Sequence, residues 1–376
     1  MNIGVPKEAT SATYENRVGL APDGVSILTR EGHCVYVENK AGASSGFDDE
    51  DYRRAGAQIV YSAEEAWGRS DMIVKVRAPI ACEFPFLRDG QIVTGFLHMA
   101  VAARALIDTL LDRHVTAIAY ETIQSDDDRL PVVIPMSEIA GRMIPLLAGE
   151  LLMNTRGGRG ILLGSVPGIP AANVGIVGGG VVGYNAAKAF LGLGAQVTVL
   201  DEDPVRLHDL DERLAGRASL MLLTQSNLRN VCRAADVLVG CVLIPGARTP
   251  RLVTREMVRS MKPRSVIMDI SIDQGGCVET SRPTTLQDPT FVEEGVIHYC
   301  VPNMSSGIAR TASYAITYAA LPYLSLLARV GLAEAARRDP ALGRGIMLSH
   351  GKVVSPTLAA AFGLQSRPLT ELFKVE

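Results

Sequence analysis

Short apolar runs alternate with stretches of helical periodicity along the first part of the chain. A helix is predicted over Ala21–Arg30, with Pro22 in its first turn and Gly32 just past its end. The predicted strands in this part are Met1–Val5, Cys34–Glu38, Gln58–Tyr61, Met72–Val76, Gln91–Phe96 and Val115–Tyr120. Strands that alternate with helices in this way are typical of an α/β domain with a largely parallel sheet.

A second alternation follows a long apolar helix predicted over Ser137–Asn154 and the Gly/Pro-rich stretch RGGRGILLGSVPGIP. Its predicted strands are Val174–Val177, Gln196–Leu200, Asp236–Val242, Ser265–Ile270 and Gly295–Cys300. The C-terminal part is rich in helical patterns, and we expect it to bring no new sheet and to pack back across both lobes. The fold class predicted is therefore α/β with two lobes, of which the first (1–132 and 304–376) is discontinuous and the second is 133–303.

Composition agrees with two folded domains and excludes several classes of protein. A chain of 376 residues is too long for one ordinary core, and 47% hydrophobic against 20% charged residues excludes intrinsic disorder. The formal charge of −3 and 5% aromatic residues give no support for nucleic-acid binding. No cysteine pair has metal-ligand spacing and no signal peptide is visible, so we expect reduced thiols, no metal and a cytoplasmic protein.

One uncharged run tests whether the protein enters a membrane. The run Thr311–Ala328 lies between Arg310 and Arg329. Its length is about that of a short membrane span. It contains Thr, Ser, Tyr and Pro322, which are unfavourable in the apolar interior of a bilayer. The composition therefore predicts a buried helix and no membrane association.

The glycine-rich segment GIVGGGVVG carries the clearest chemical signal. Gly178-x-Gly180-x-x-Gly183 lies where a predicted strand ends and a helix begins at Val181. In that position the first glycine permits a tight turn, the second lets the backbone approach a pyrophosphate, and the third lets helix and strand pack closely. The helix N-terminus then offers N–H groups to the phosphates. This pattern predicts a Rossmann dinucleotide-binding domain.

The end of the next predicted strand indicates which dinucleotide binds. Asp201 stands 18 residues after Gly183, where an acidic residue accepts hydrogen bonds from the ribose hydroxyls and repels a 2′-phosphate. This favours NAD over NADP. Arg206 either lies beside the same ribose or is a solvated arginine on a helix face. Later strand ends place Val242, Leu243 and the segment 269–273 at the carboxyl edge of the sheet, where such folds bind ligands.

Four polar residues have both a structural and a chemical interpretation when taken singly. His98 follows an apolar strand and is compatible with a satisfied core histidine. Lys75 lies within an apolar run, where it needs a partner for its charge or a path to the surface. Arg17 is compatible with a loop arginine, and Asp273, before two glycines, with the cap of a turn.

These residues stand in motifs that occur in a fixed order along nearly the whole chain. The motifs are IGVPKE, ENRV around Arg17, IVKVR around Lys75, FLHMA around His98, AYET (119–122), PMSEIAGR (135–142), GGRG, SIDQGGC (271–277), SRPTT and YCVPNM (299–304). In order and approximate spacing they resemble those of the bacterial alanine dehydrogenases. Relatives with this fold include the NAD-binding subunit of proton-translocating transhydrogenase and saccharopine dehydrogenases.

The resemblance implies an NAD-dependent enzyme that interconverts L-alanine with pyruvate and ammonia, and it suggests a homohexamer. Arg17 and Lys75 would hold the substrate carboxylate and carbonyl oxygen, His98 would be the acid/base, and Asp273 a second catalytic group. Asn303 would also contact the substrate. Together with the glycine turn, the expected cofactor-binding residues are Ser137, Gly178, Gly180, Val181, Gly183, Asp201, Arg206, Val242, Leu243, Ile270, Asp273, Asn303 and Met304.

The chain departs from the family pattern at three places. Ala78 replaces an acidic residue in the KVKEP motif, the segment 303–313 lacks the proline after Met304, and Leu223 stands where relatives often carry a hydroxyl. Two alternatives therefore stay open. One is a paralogue that acts on another small 2-amino or 2-imino acid, and the other is a non-catalytic NAD-binding subunit of a transhydrogenase.

Overall fold

The computed structural model describes residues 1–9 and 14–373. The strands, numbered along the chain, are β1 (Asn2–Val5), β2 (Cys34–Glu38), β3 (Gln58–Val60), β4 (Met72–Arg77), β5 (Ile92–Phe96), β6 (Thr116–Ala119), β7 (Asn173–Val177), β8 (Gln196–Asp201), β9 (Ser219–Leu222), β10 (Val237–Gly240), β11 (Val266–Asp269), β12 (Thr290–Glu293), β13 (Val296–Tyr299), β14 (Ile346–Ser349) and β15 (Lys352–Val353).

The α-helices are short except for α5 and α10. They are α1 (Pro22–Arg30), α2 (Asp49–Arg54), α3 (Ala63–Gly68), α4 (Arg104–Asp112), α5 (Val133–Leu151), α6 (Val181–Gly192), α7 (Pro204–Leu214), α8 (Gln225–Ala234), α9 (Arg255–Arg259), α10 (Ala309–Val330), α11 (Leu332–Arg338), α12 (Pro340–Gly345), α13 (Pro356–Phe362) and α14 (Leu369–Leu372).

The chain forms two compact units. The first contains Met1–Met136, Pro245–Ala247 and the C-terminal part from Ser306, and the second contains Ser137–Ile244 and Arg248–Ser305. Each unit has its own sheet with helices between most of its strands, which confirms the predicted α/β class with two lobes.

The first unit is built on an eight-stranded sheet in the order β15-β14-β6-β5-β4-β1-β2-β3. The strands from β1 to β6 pair in parallel, and β14 pairs antiparallel with both β6 and β15. Among the described residues the C-terminal part forms no sheet of its own, as expected, but its strands β14 and β15 extend this sheet and were not predicted. Both strands are very short, and β14 directly follows a helix, so the sequence carries no strand period there.

Side chains of β4 alternate between the two faces of this sheet. Met72, Val74 and Val76 join the apolar cluster that contains the buried residues of α10, and Ile73 joins a second cluster around Trp67. Successive side chains of a strand point to opposite faces. Lys75 therefore lies on the Ile73 face, and its burial requires partners for its charge.

The second unit has a seven-stranded sheet in the order β12-β13-β11-β10-β7-β8-β9. All its pairs are parallel except the hairpin of β12 with β13. The edge strands β9 and β12 were not predicted. Their residues are only partly buried, because an edge strand is covered on fewer sides than a central one, and neither strand shows the alternation of a half-buried strand.

The uncharged run predicted as a buried helix lies in α10. Residues four apart on this helix, Ala312, Ile316, Ala320 and Leu324, are fully buried on one face, which explains its apolar composition. Within the described residues, no helix has the length and hydropathy needed to cross a membrane.

Candidate active site

The glycine turn between β7 and α6 has the backbone geometry that its sequence predicts. Gly178 has φ of +102°, a conformation that L side chains rarely adopt. A Cβ atom at Gly183 would lie 1.9 Å from the carbonyl oxygen of Gly178, so only glycine permits this approach of helix to strand. At Gly180, among the residues that the structure describes, no atom beyond the chain neighbours lies within 4 Å of the position that a Cβ would take.

That space lies in front of the N-terminus of α6. Gly180 is the N-cap residue and has no side chain to cap the first N–H groups of the helix. Such N–H groups, together with the helix dipole, bind phosphate groups. The turn therefore fits the pyrophosphate of a dinucleotide, with Val181 as the first residue of the helix.

Asp201 ends β8 beside this turn and is almost completely buried. Its carboxylate accepts hydrogen bonds from the backbone N–H of Gly179 at 2.6 Å and of Asp203 at 3.0 Å. Arg206, on α7, places Nη1 3.2 Å from both carboxylate oxygens, although about half of its side chain is exposed. Arg206 thus lies beside the residue that is predicted to bind the ribose.

The other predicted cofactor residues of this unit mostly follow strand ends. Val242 and Leu243 follow β10, Ile270 follows β11, and Asn303 and Met304 come after β13. Since the strands β7, β8, β10, β11 and β13 are parallel, their carboxyl ends meet at one edge of the sheet. The sheet thereby brings these residues and the glycine turn to the same edge, whereas Ser137 lies within α5.

Two hydrogen-bonded contacts connect the loops at this edge. Asp273 accepts a hydrogen bond from the backbone N–H of Asn303 at 2.9 Å, and Asn303 has a left-handed φ of +55°. The hydroxyl of Ser271 lies 2.9 Å from both the N–H and the carbonyl oxygen of Val242. The Ser271 contact was not predicted, because it depends on the pairing of β10 with β11.

Lys75 lies in the first unit, with a side chain only 1% exposed between two carboxylates. Its Nζ is 2.5 Å from Oε1 of Glu83 and 3.3 Å from Oε2 of Glu8. Burial lowers the pKa of an ammonium group, but Glu8 and Glu83 outweigh burial and raise the pKa of Lys75 above its ordinary value. Lys75 is therefore a buried cation and does not reach the surface.

Glu8 has the opposite balance. Burial is the largest influence and raises the pKa of Glu8 above its ordinary value, although Lys75 and the N–H of Val76 act against it. Glu15 and Glu83 add to the increase because their negative charges are near. The pocket around Lys75 thus contains a carboxyl group that takes up a proton more readily than a surface glutamate does.

Arg17 is paired with Glu15 in a buried two-point contact. Nε and Nη2 of Arg17 lie 2.7 Å and 2.6 Å from the two oxygens of Glu15. Burial raises the pKa of Glu15, but Arg17, with a smaller effect of Arg77, holds it below its ordinary value. The planar fork of a guanidinium matches a carboxylate, so this pair fixes the orientation of Arg17.

Arg77 is a second cation of β4 that the sequence did not single out. It lies two residues after Lys75, but the register between β4 and β5 shifts between Val74 and Arg77, so strand alternation does not place the two side chains on the same face. Its Nη1 is buried without a hydrogen-bond partner among residues 1–9 and 14–373. The alternation K-x-R within an apolar strand was the available signal.

His98 follows β5, the strand next to β4. The two strands are parallel, with Arg77 opposite Phe96, so Lys75 and His98 approach the same edge of the first sheet. The imidazole stacks on Phe96 with ring centroids 6.3 Å apart. Within the described part of the chain its Nδ1 is buried and has no hydrogen-bond partner.

Family models match both parts of the chain. The N-terminal domain model of alanine dehydrogenase/PNT matches residues 4–140, and the C-terminal domain model matches residues 145–356. The chain belongs to the alanine dehydrogenase/PNT family. This confirms the resemblance that the order of its motifs indicates.

Curated relatives match the chain from end to end. It is 44% identical over 376 residues to alanine dehydrogenase 2 of Staphylococcus aureus (strain USA300), and the match covers 100% of both chains. It is also 44% identical over 371 residues to the alanine dehydrogenase of Mycobacterium tuberculosis (strain CDC 1551 / Oshkosh), covering 99% of this chain and 98% of the relative.

Solved structures give the same family. The structure of this chain superposes on that of an L-alanine dehydrogenase with a TM-score of 0.89 and 43% sequence identity. The match covers 96% of this chain and 99% of the other. A transhydrogenase from Sinorhizobium meliloti gives a TM-score of 0.75 and 26% sequence identity, and the match covers 95% of this chain and 99% of the transhydrogenase chain. The similarity to the dehydrogenase is thus greater in both sequence and fold.

Proposed function

We propose that this chain is an NAD-dependent L-alanine dehydrogenase that catalyses the reversible oxidative deamination of L-alanine to pyruvate and ammonia. The observation that carries the proposal is the 44% identity to a curated alanine dehydrogenase over the full length of both chains. A match of that extent includes the segments around Arg17, Lys75, His98 and Asp273. A subunit that only carries a nucleotide has no need for such a set of residues.

The second unit would hold NAD, which accepts a hydride from the substrate Cα when it is bound. The turn from Gly178 to Gly183 and the N-terminus of α6 would hold the pyrophosphate. Asp201 would accept hydrogen bonds from the ribose, and its negative charge disfavours a 2′-phosphate. Arg206 would lie beside it. The remaining cofactor contacts would come from Ser137, Val242, Leu243, Ile270, Asp273, Asn303 and Met304.

The first unit would hold the small amino or oxo acid. Arg17 and Lys75 would bind the carboxylate and the carbonyl oxygen, and two fixed cations orient such a group as well as attract it. His98 would move protons during addition and loss of ammonia or water, because an imidazole can both accept and donate a proton at a ring nitrogen. Asp273, with Asn303 beside it, would orient ammonia or water.

A second candidate function is a paralogous dehydrogenase of another small 2-amino or 2-imino acid. Ala78 favours it, since this residue replaces the acidic side chain of the family motif and packs against the apolar cluster around Trp67. Position 78 therefore has a smaller and uncharged side chain than in the family motif. We expect the enzyme to accept a substrate with a different side chain as a result.

We also propose the finer properties that family membership supports. These are a cytoplasmic location, a homohexamer, a substrate-binding domain of residues 1–132 and 304–376, and an NAD-binding domain of residues 133–303. Leu162 and Ile169, on one Gly/Pro-rich segment, are apolar residues with relative exposures of 66% and 63%. Exposed apolar residues that lie close together support a contact between subunits.

The test is consumption of NADH by the purified protein in the presence of pyruvate and ammonium. We expect NADH oxidation that requires both compounds and that is much slower with NADPH. A panel of 2-oxo acids of increasing size separates the alanine enzyme from the paralogue by kcat/KM. Binding of NADH without any oxidation across the panel would contradict both and favour the non-catalytic nucleotide carrier.

A further inference from the structure

The loop that carries His98 begins where the pairing of β5 with β6 ends. The last pair in the register of these parallel strands is Gly95 opposite Ala119. After Ala119 the chain turns into a short 3-10 helix, Tyr120–Thr122, which carries Glu121. Beyond the last pair, the N–H groups of Leu97 and His98 need acceptors from outside the backbone ladder.

Glu121 supplies both acceptors. Its Oε1 lies 2.6 Å from the N–H of His98, and its Oε2 lies 3.2 Å from the N–H of Leu97. The side chain belongs to the AYET motif and is buried, with a relative exposure of 4%. A carboxylate offers an acceptor at each oxygen, whereas the amide of glutamine offers one acceptor and one donor. Only an acidic side chain therefore satisfies both N–H groups in this geometry.

The backbone of His98 needs such support. Its φ of 43° and ψ of 43° lie in the left-handed region, which a residue other than glycine occupies only when its surroundings hold it there. The hydrogen bonds to the two consecutive N–H groups are charge-assisted and hence strong. They act on the peptide units on the N-terminal side of His98 and so fix the direction in which its Cβ leaves the chain.

The imidazole itself has no comparable anchor. A catalytic histidine is commonly oriented by a hydrogen bond to its second ring nitrogen. Here Nδ1 has no partner within residues 1–9 and 14–373, and the ring is in contact with Phe96 by stacking alone. The backbone to which the ring is attached thus sets the direction in which the side chain starts, and stacking on Phe96 is the ring contact that accompanies it.

We infer that Glu121 is a positioning residue for His98, which it aims by binding the backbone N–H groups of Leu97 and His98. The inference rests on the proposed function, in which His98 is the acid/base. Glu121 acts through the backbone of the loop, and the reacting atoms are contacted by His98.

A double-mutant cycle tests this inference. We expect Glu121→Gln to lower kcat for pyruvate amination about a hundredfold, because a misplacement of about 1 Å has an effect of that size. NADH affinity should change less than about twofold. His98→Gln should lower turnover by about 10²–10⁴-fold. Adding Glu121→Gln to His98→Gln should then lower turnover less than about twofold further, since the two residues act as one unit.

Hydrogen exchange provides a readout that does not depend on activity. In Glu121→Gln the amides of Leu97 and His98 should exchange at least about tenfold faster, while the amides of β5 keep their protection. Glu121→Asp retains the charge and should recover part of the turnover that Glu121→Gln loses. It also replaces Glu121→Gln in the cycle if the latter does not fold.

Asp236→Asn is the matched control. Asp236 is likewise a buried carboxylate, and it accepts a hydrogen bond from the backbone N–H of Asn173 at 2.9 Å, at the amino edge of the second sheet. This variant should lose stability and keep its turnover. If Asp236→Asn lowers turnover as much as Glu121→Gln does, the effect is a general loss of stability and the inference is overturned.

The outcomes of the cycle are distinct. If His98→Gln loses turnover and Glu121→Gln does not, the inference is wrong and the proposed function stands. If the two losses multiply in the double variant, Glu121 acts independently of His98 and the inference is also wrong. Normal turnover in His98→Gln would overturn the role of His98 in the proposed function, and the role of Glu121 with it.

Discussion

The hydroxyl of Ser306 lies 2.8 Å from the backbone N–H of Asn16 and 2.8 Å from the carbonyl oxygen of Tyr14. It accepts from the first and donates to the second, and its residue is only 2% exposed. Both contacts are to the irregular segment that carries Arg17. Ser306 lies in the part of the chain that departs from the family pattern after Met304, so this departure has a structural consequence.

Two further hydroxyls hold the same segment. On α10, Ser313 accepts a hydrogen bond from the N–H of Val18 at 3.0 Å, and Thr317 accepts one from the N–H of Ala21 at 2.8 Å. Residues four apart share one face of a helix, so both hydroxyls face the segment. Since the described residues 14–21 belong to no helix or strand, these contacts fix the backbone around Arg17.

Replacement of Ser306 by alanine should weaken substrate binding and should also lower the stability of the protein. Loss of two buried hydrogen bonds lowers the free energy of unfolding by about 1–3 kcal/mol. The KM for pyruvate should rise several-fold because Arg17 is less well placed, and the KM for NADH should not change. Ser325→Ala is the matched control, since that serine, on α10, donates to Glu31 at 2.6 Å. An equal rise in the pyruvate KM of both variants would contradict a local role for Ser306.

Lys75 is a buried cation with two carboxylate partners, and the proposed function also gives it a catalytic role; two variants separate the structural from the catalytic effect. Lys75→Met leaves Glu8 and Glu83 buried without their cation, so the free energy of unfolding should fall by about 3–5 kcal/mol. Lys75→Met/Glu83→Gln should regain most of that stability but still turn over at least about a hundredfold more slowly than wild type. Chemical denaturation and steady-state kinetics measure the two effects. Recovery of turnover in the double variant would show that Lys75 is a structural lysine only.

The preference for NAD should depend on the charge of Asp201. Asp201→Asn should raise the KM for NAD about tenfold with little change in kcat, because the contacts to the ribose form in ground and transition states alike. The ratio of kcat/KM for NAD to that for NADP should fall. Asp203→Asn changes a neighbouring carboxylate that caps α7 and should leave this ratio unaltered. Equal affinity of the wild-type protein for both cofactors would exclude the role proposed for Asp201.

His298 should make the protein less stable in mild acid. It is buried, with Nδ1 3.0 Å from the carbonyl oxygen of Val296 and Nε2 2.8 Å from the hydroxyl of Thr280. Burial, only partly offset by the Val296 carbonyl, lowers the pKa of His298 from its ordinary value of 6.5. As the pH falls below 6.5, the unfolded chain binds a proton that the folded chain does not, and the free energy of unfolding decreases.

The measurement is the free energy of unfolding between about pH 7.5 and about pH 5. His298→Gln should have a shallower dependence than wild type, because its side chain does not titrate. His208→Gln is the control, since it removes a histidine whose side chain is 81% exposed. An unchanged slope in His298→Gln would contradict the prediction.

The parts of the site that could be predicted from sequence are those that depend on neighbouring residues. The turn from Gly178 to Gly183 and the position of Asp201 follow from a strand, a tight turn and a helix in direct succession. The carboxylates of Glu8 and Glu121 did not appear among the candidates. Their contacts with Lys75 and His98 depend on which strands are neighbours in the sheet, and a glutamate after a strand has many other uses.

The same limit applies to the strands that were missed. The strand β14 has four buried residues directly after a helix, and β15 has two residues. Segments of this length have no stable conformation of their own and become strands only when a partner edge is present. The edge is that of β6, which lies in the first third of the chain. Sequence periodicity contains no information about so distant a pairing.

The pairing of β14 with β6 also determines the order in which the protein can fold during synthesis. The ribosome releases Thr116–Ala119 long before Ile346–Ser349, so the first sheet lacks its last strands until almost the whole chain has been made. All strands of the second sheet lie between Asn173 and Tyr299 and become available earlier. Domains generally fold as units as they leave the ribosome. The unit encoded in the middle of the gene therefore matures first, while the nascent first unit keeps an open β6 edge that is available to chaperones.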